Sequence, residues 1–227
     1  MLFFWDNTIL LLLPALILSI YAQYKVNSEY RRYSEVPSSL GKPGWQVAEE
    51  ILSAVGLHYV SVERISGELT DHYDPRDKVL RLSDGIYNSR SIAALGILAH
   101  EIGHALQDKE GYVPLKIRGV IVPVASIGSN LAIPFFFLGF IFYIPALMDI
   151  GILAFSLAVL FQLVTLPVEF DASKRAIRLL TNLGLVSNYE IKGVKAVLWA
   201  AAMTYVAATA MAALQLVRLL ILRGERE

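Results

Sequence analysis

Cysteine is absent from the 227 residues. That excludes a disulfide scaffold and any thiolate metal site. Charge is scarce: 18% of residues are Asp, Glu, Lys or Arg, where soluble domains carry about 25%. Neither sign dominates, with Lys+Arg 20 against Asp+Glu 20. No basic patch stands out, so nucleic acid is not an expected partner. The low hydrophobicity that marks a disordered chain is missing too: 56% of residues are hydrophobic and mean hydropathy is +0.53. What these absences leave is a protein of the lipid bilayer.

The apolar residues fall in three blocks. Residues 8–22, extendable back through Leu2, Phe3, Phe4 and Trp5, can cross a hydrocarbon core of about 30 Å with their flanks. No basic residue precedes them and Asp6 is the only early charge. Segment 2–24 therefore reads as a retained transmembrane anchor, because a cleaved signal peptide needs basic residues before its apolar run. Residues 119–168 carry Asp149 as their only charge. One span takes about 20 residues, so 119–168 is expected to form a transmembrane hairpin with its turn between Tyr143 and Gly151. Phe135, Phe136, Phe137, Phe140, Phe142 and Tyr143 suit the interface near that turn. The third block, 194–222, is rich in Ala and broken by Lys195, Gln215 and Arg218. It is either a fourth span or an amphipathic helix packed on the bundle; Ala201-Ala202 and Ala207-Ala208 permit close helix approach in both cases.

Lys and Arg orient the chain. None precedes residue 8, twelve lie between Lys25 and Arg118, and five between Lys174 and Lys195. Basic segments stay in the cytoplasm. The N-terminus is thus expected outside, and residues 25–118 and 169–193 inside a cell (inner) membrane. Arg223 and Arg226 sit uneasily with a tail on the outer side.

Residues 36–118 are marginal in size for an independent core. Segment 36–44 has a linker composition, and Pro43 is placed to open a helix. Trp45, Ala48, Ile51, Leu52 and Val55 recur at helical spacing, and Gly56 stands where a C-terminal glycine belongs. Residues 57–65 alternate as a strand does, with His58 inside it. Residues 67–70 and 78–83 read as two further strands around a turn at 71–77. Ser89 or Ser91 can cap a helix running to about Gln107. The expected fold is an α-helical membrane protein with three to four transmembrane helices and a small α+β, zincin-like cytoplasmic part.

Within that helix stands His100-Glu101-Ile102-Gly103-His104. Histidines four apart share a helical face and can hold one metal. Imidazole suits zinc. Glu101 lies off the ligand axis but near it, where it can take a proton from an activated water and pass it to a leaving amine. Buried His and Glu are poor choices for plain core packing. Catalytic zinc takes three protein ligands. Glu169 is the best candidate for the third, because the hairpin returns the chain to the level of the motif helix near Pro167; Asp171 is the runner-up ligand or an acceptor behind a zinc histidine. His72 or Tyr73 could hydrogen-bond an oxyanion. The strand 78–83 could be an edge that pairs with an extended peptide, or an ordinary paired strand. Lys174, Arg175 and Arg178 read as membrane-surface anchors. Arg90, Asp108 and Lys109 flank the motif helix, and its apolar stretch 92–98 is too short to span, which argues against a site inside the bilayer.

Three stretches carry a resemblance: LTDHYDPRDKVLRLS at 69–83, SIAALGILAHEIGHALQ at 91–107 and LPVEFDASKRA at 166–176. Together they resemble the YugP-like family of bacterial membrane zinc metallopeptidases, over nearly the whole chain. The resemblance implies His100 and His104 as zinc ligands and Glu101 as catalytic acid/base; it implies a peptidase class and not a substrate. Membrane proteins or peptides that reach the cytoplasmic face are the expected substrates. HtpX-like and CAAX-prenyl-protease metallopeptidases are more distantly similar. Their later motif is Glu-x-x-Ala-Asp, whereas this chain has Glu169-Phe170-Asp171-Ala172-Ser173. The Glu fits, Ala172 is shifted, and Ser173 stands where Asp would be, which leaves open the group that orients the histidines.

Overall fold

The long apolar blocks become long helices. The computed structural model describes residues 7–225; Leu2 to Asp6, which the anchor reading includes, and Arg226 lie outside them. A 3-10 turn at Asn7–Leu12 leads into α1 (Leu13–Ser34). Two further helices, α5 (Val113–Phe142) and α6 (Pro145–Asn182), form the hairpin, and α7 (Glu190–Gly224) closes the chain. The segments Asn7–Ser34, α5, α6 and α7 are each long and apolar enough to cross a membrane, since about 20 residues suffice. The third apolar block thus has the length and composition of a fourth span.

The hairpin turn is tighter than expected. Only Tyr143 and Ile144 separate the helices, and Tyr143 takes a left-handed backbone with φ +56°. Residues up to Gly151 are already helical, because Pro145 opens α6. Nor is 169–193 a separate extended segment: α6 continues to Asn182, and α7 begins at Glu190. A capping box starts α7. Ser187 Oγ accepts from the Glu190 N–H, and the Glu190 carboxylate accepts from the Ser187 N–H at 2.7 Å. Glu190 also takes the N–H and hydroxyl of Ser39, so the linker is tied to that helix start.

Between α1 and α5 lie α2 (Gly44–Ala54), β1 (Ser61–Ile65), β2 (His72–Asp74), β3 (Val79–Ser83), a one-turn α3 (Asp84–Tyr87) and α4 (Ile92–Lys109). Pro43 precedes α2, and Gly56 follows it with φ +68°, as the sequence indicates. Ser91 caps α4, its Oγ accepting from the Ala94 N–H. The strands depart from expectation. Residues 57–60 are turn, so His58 is outside any strand. Residues 67–70 are irregular too, and β2 lies inside the segment read as a turn. The true turn is residues 75–78, where the Asp74 carboxylate takes the Arg76 N–H and Lys78 adopts φ +57°.

Sheet order is β1-β3-β2. β3 pairs parallel with β1 and antiparallel with β2. It is therefore the central strand, buried on both faces, and the reading of 78–83 as a free edge is corrected. Three apolar residues from 79 to 82 draw it inward as Val79-Leu80-x-Leu82, with only Arg81 half-buried.

The chain divides into two units. Tyr24–Tyr112 with Val168–Ala202 has a core of Ile51, Leu57, Leu80, Leu82, Ile86, Ile92, Leu98, Ile102 and Leu180. Met1–Gln23, Val113–Pro167 and Met203–Glu227 make the other, with Phe136, Met148, Leu219 and Leu222 packed together. Phe136 is fully buried there, while Phe142 and Tyr143 are exposed. The aromatic run therefore splits between packing and the turn. Arg223 Nε donates to Asp149 Oδ1 at 2.8 Å within this unit, which brings the end of α7 to the start of α6.

Candidate metal centre

Helix α4 presents His100 and His104 one turn apart, with ring centroids 4.8 Å from each other. Helix α6 approaches because Gly103 lacks a side chain: a Cβ there would lie 2.6 Å from the carbonyl oxygen of Ala172. That contact brings Glu169, three residues before Ala172, up to the histidines. Glu169 Oε2 sits 3.2 Å from His100 Nε2 and 3.7 Å from His104 Nε2. One ligand atom from each of His100, His104 and Glu169 falls within 4.8 Å of the others. Glu169 is 2% exposed.

Each histidine is held from behind. His100 Nδ1 faces Ser173 Oγ at 3.1 Å. His104 Nδ1 faces Gln107 Oε1 at 3.0 Å. Both rings therefore turn Nε2 toward the Glu169 carboxylate. Two imidazole nitrogens and one carboxylate oxygen are the donor set of a catalytic zinc site with one position left open. The buried carboxylate beside two ring nitrogens also fits a dication, which offsets the cost of burying it.

Glu101 is buried and does not join that group. Its Oε2 accepts the backbone N–H of Tyr73 at 3.1 Å. Burial pushes the Glu101 carboxyl above the ordinary range, opposed by the nearby His100 and His104. For His104, burial works against the charged form, but Glu169, the Glu101 carboxylate and Gln107 together outweigh this and raise its pKa. Tyr73 is itself anchored. Its hydroxyl donates to Asp108 Oδ2 at 2.7 Å, and Lys78 pairs with the same carboxylate. Asp71 accepts both the N–H and hydroxyl of Ser83, and burial raises its pKa.

The remaining sequence candidates fall around the group. Asp171 does not contribute to the three-residue cluster; its Oδ2 receives Gln107 Nε2 at 2.9 Å and the Arg175 guanidinium. It reaches His104 through Gln107. Arg175 also pairs with Glu110, so it acts inside this network and not simply as a surface anchor. Ser173, at the position the sequence left open, stands behind His100. His72 lies on β2 with Nδ1 2.8 Å from the Thr70 carbonyl oxygen. Two participants were not anticipated. Gln107 had a legible signal, because it follows His104 by three residues and so shares its helical face. The Tyr73 backbone N–H had none, since a main-chain donor has no residue type to read.

Comparison with known proteins bears on the cofactor. A family model described as "Putative neutral zinc metallopeptidase" matches residues 8–224. A curated relative, "Putative membrane protease YugP" of Bacillus subtilis (strain 168), is 45% identical over 221 residues, covering 96% of this chain and 98% of that protein. No solved structure matches the chain. Zinc is the cofactor that the family implies, and His100, His104 and Glu169 are the group that fits it. Matched from its first helix to its last, the chain belongs to this family of zinc metallopeptidases.

Proposed function

We propose that the protein is a membrane-bound, gluzincin-like zinc endopeptidase whose HExxH helix α4 and Glu169 form the active site. The observation that carries the reading is the convergence of His100, His104 and Glu169 beside a buried, unliganded Glu101. His100 Nε2, His104 Nε2 and a Glu169 oxygen would hold the metal. Zinc supplies Lewis acidity there, enough to make hydroxide available near neutral pH.

The chain's own groups carry the protons. Glu101 accepts a proton from the attacking water as its oxygen bonds to the peptide carbonyl carbon. It then gives that proton to the amide nitrogen as the C–N bond breaks, leaving a carboxylate and an amine. A raised pKa suits both halves of that cycle. The Tyr73 N–H holds Glu101 Oε2 and so fixes the direction of the other oxygen. β2, the outer strand on that side of the sheet, offers the edge for an extended peptide in place of β3. His72 on the same strand is the proposed donor to the oxyanion.

We place the soluble part, 36–118 with the zincin-like helix, and the Glu169 segment, 169–193, on the cytoplasmic face of the cell (inner) membrane. The anchor 2–24, the hairpin 119–168 and the helix at 194–222 then give four spans. The distribution of Lys and Arg supports this. So does the Arg223–Asp149 pair, which neutralises the tail cation at the hairpin end. Substrates would be membrane-associated proteins or peptides.

The test is Glu101→Gln in the full chain, assayed on unfolded casein in detergent. Zinc content is expected to stay unchanged and cleavage to fall by about 10²–10⁴-fold. Full cleavage in the variant would overturn the assignment; a wild type that holds zinc but cleaves nothing favours a zinc-stabilised membrane scaffold.

A further inference from the structure

We infer that Gln107 is a positioning residue that dictates which nitrogen of His104 carries its hydrogen. This rests on the zinc reading above and deepens it. Gln107 is fully buried, and its two polar atoms meet different partners. Nε2 lies 2.8 Å from the carbonyl oxygen of Val168 and 2.9 Å from Asp171 Oδ2. A carbonyl oxygen accepts and cannot donate. The amide nitrogen must therefore face α6, because the flipped amide would set oxygen against oxygen at a buried site. Oε1 is left pointing at His104, 3.0 Å from Nδ1.

An amide oxygen also only accepts. His104 Nδ1 must then bear the hydrogen, whether the ring is neutral or charged. The neutral ring's lone pair is confined to Nε2, the atom that faces Glu169. The fixed point of the deduction is a main-chain carbonyl, which has no alternative protonation state. Asp171 strengthens it, since Arg175 pairs with the carboxylate and is in turn held by Glu110. His100 has no comparable constraint: the hydroxyl of Ser173 both donates and accepts. The two zinc histidines are thus unequal. His104 is preset for the metal by a buried amide, and His100 settles its tautomer when the metal arrives.

The experiment uses the full chain in detergent micelles with ¹⁵N-labelled histidine, of which there are four. Ring-nitrogen shifts are read without metal, and zinc affinity is read by competition with a chromophoric chelator. Wild type is expected to show hydrogen on His104 Nδ1 before zinc is added. Gln107→Met, similar in size but unable to accept, is expected to lose that preference and bind zinc about 10–100-fold more weakly. Gln107→Glu keeps an acceptor for Nδ1–H and is expected to bind zinc more tightly than Gln107→Met. A residue that merely held α4 against α6 predicts the reverse order, because both variants lose the two donations and Glu also adds charge beside Asp171. That reverse order overturns the inference. So does a Gln107→Met protein with His104 still hydrogen-bearing at Nδ1 and zinc affinity unchanged. A wild type with the expected tautomer that takes up no zinc supports the inference and overturns the function proposed above.

Discussion

In the unit that holds α5, hydroxyl groups turn back on their own helices. Ser19, Ser129, Ser156, Thr165 and Thr209 each donate to a carbonyl oxygen three or four residues earlier. In the unit that holds α4, polar side chains reach across the chain: Ser39 to Glu190, Ser83 to Asp71, Gln107 to Asp171, His100 to Ser173. The proposed membrane placement accounts for this difference through the solvent each unit would meet. Hydrocarbon offers no partner, so a spanning helix must satisfy its polar atoms before it assembles. The site-bearing unit can leave its polar atoms to water until the fold brings distant partners together. At the metal site this network joins partners 73 residues apart, and its failure is expected to be felt there.

The sharpest break in that contrast comes from Glu169→Ala. Metal analysis of purified protein should find near one zinc per chain in the wild type. The variant should bind zinc more than about 100-fold more weakly, beyond the loss typical of an outer partner. Unchanged zinc in the variant would remove Glu169 from the ligand set and move Asp171 forward.

Two glycines then compare the units under the same steric fault. Gly103→Ala sets a Cβ against the Ala172 carbonyl oxygen, and Gly151→Ala sets one 2.7 Å from the Phe136 backbone nitrogen. Each is expected to cost about 1–3 kcal/mol of stability through overpacking. Only Gly103→Ala should also weaken zinc binding. Thermal unfolding in detergent and chelator competition separate the two effects, and equal zinc loss in both variants would dissolve the distinction.

A smaller contrast lies in the hydrogen bonds. Asp71→Ala strands the buried hydroxyl and N–H of Ser83, at about 1–3 kcal/mol. Thr209→Val removes a bond within one membrane helix and should cost only about 0.6 kcal/mol. Denaturation midpoints that come out equal would mean the local bonds matter as much as the distant ones.

The weakest effect concerns pH. The Arg76 N–H and the Arg81 guanidinium hold the half-buried Asp74 carboxyl below the usual range. The native state then binds fewer protons than the unfolded chain, whose carboxyl titrates near pH 3.9. This contribution is present above about pH 4 and is lost as pH falls through the lower native value. At under about 1 kcal/mol for a pair still partly screened by water, Asp74→Asn should slightly flatten the acid limb of stability against pH. An unchanged limb would assign the turn's stability to the backbone alone.

Long-range composition made the membrane helices legible, because a run such as 119–168 with one charge has few other destinations. His100, Glu101 and His104 were legible because helical spacing converts directly into a shared face. Glu169 followed from counting spans. Of the short strands, β1 and β3 fall inside 57–65 and 78–83 and were legible, but β2 was not. His72-Tyr73-Asp74 sits among Asp, Pro and Arg residues that read as turn, and only pairing with Leu80 and its neighbours makes it a strand. The burial of β3 was equally hidden, since alternation does not say which strand lies in the middle. Phe136 misled for a related reason: an aromatic side chain suits an interface and a helix contact alike, and Gly151 lets α6 come up against the Phe136 backbone.

The contact between Gly103 and the Ala172 carbonyl has an evolutionary side. Where side chains separate two helices, drift can widen or narrow the gap one methyl at a time. Here main chain meets main chain, so no substitution at position 103 draws the helices closer and any added carbon forces them apart. A descendant that acquires a different metal or a wider cleft must change the ligands or the strand beside them, with this helix spacing inherited unaltered.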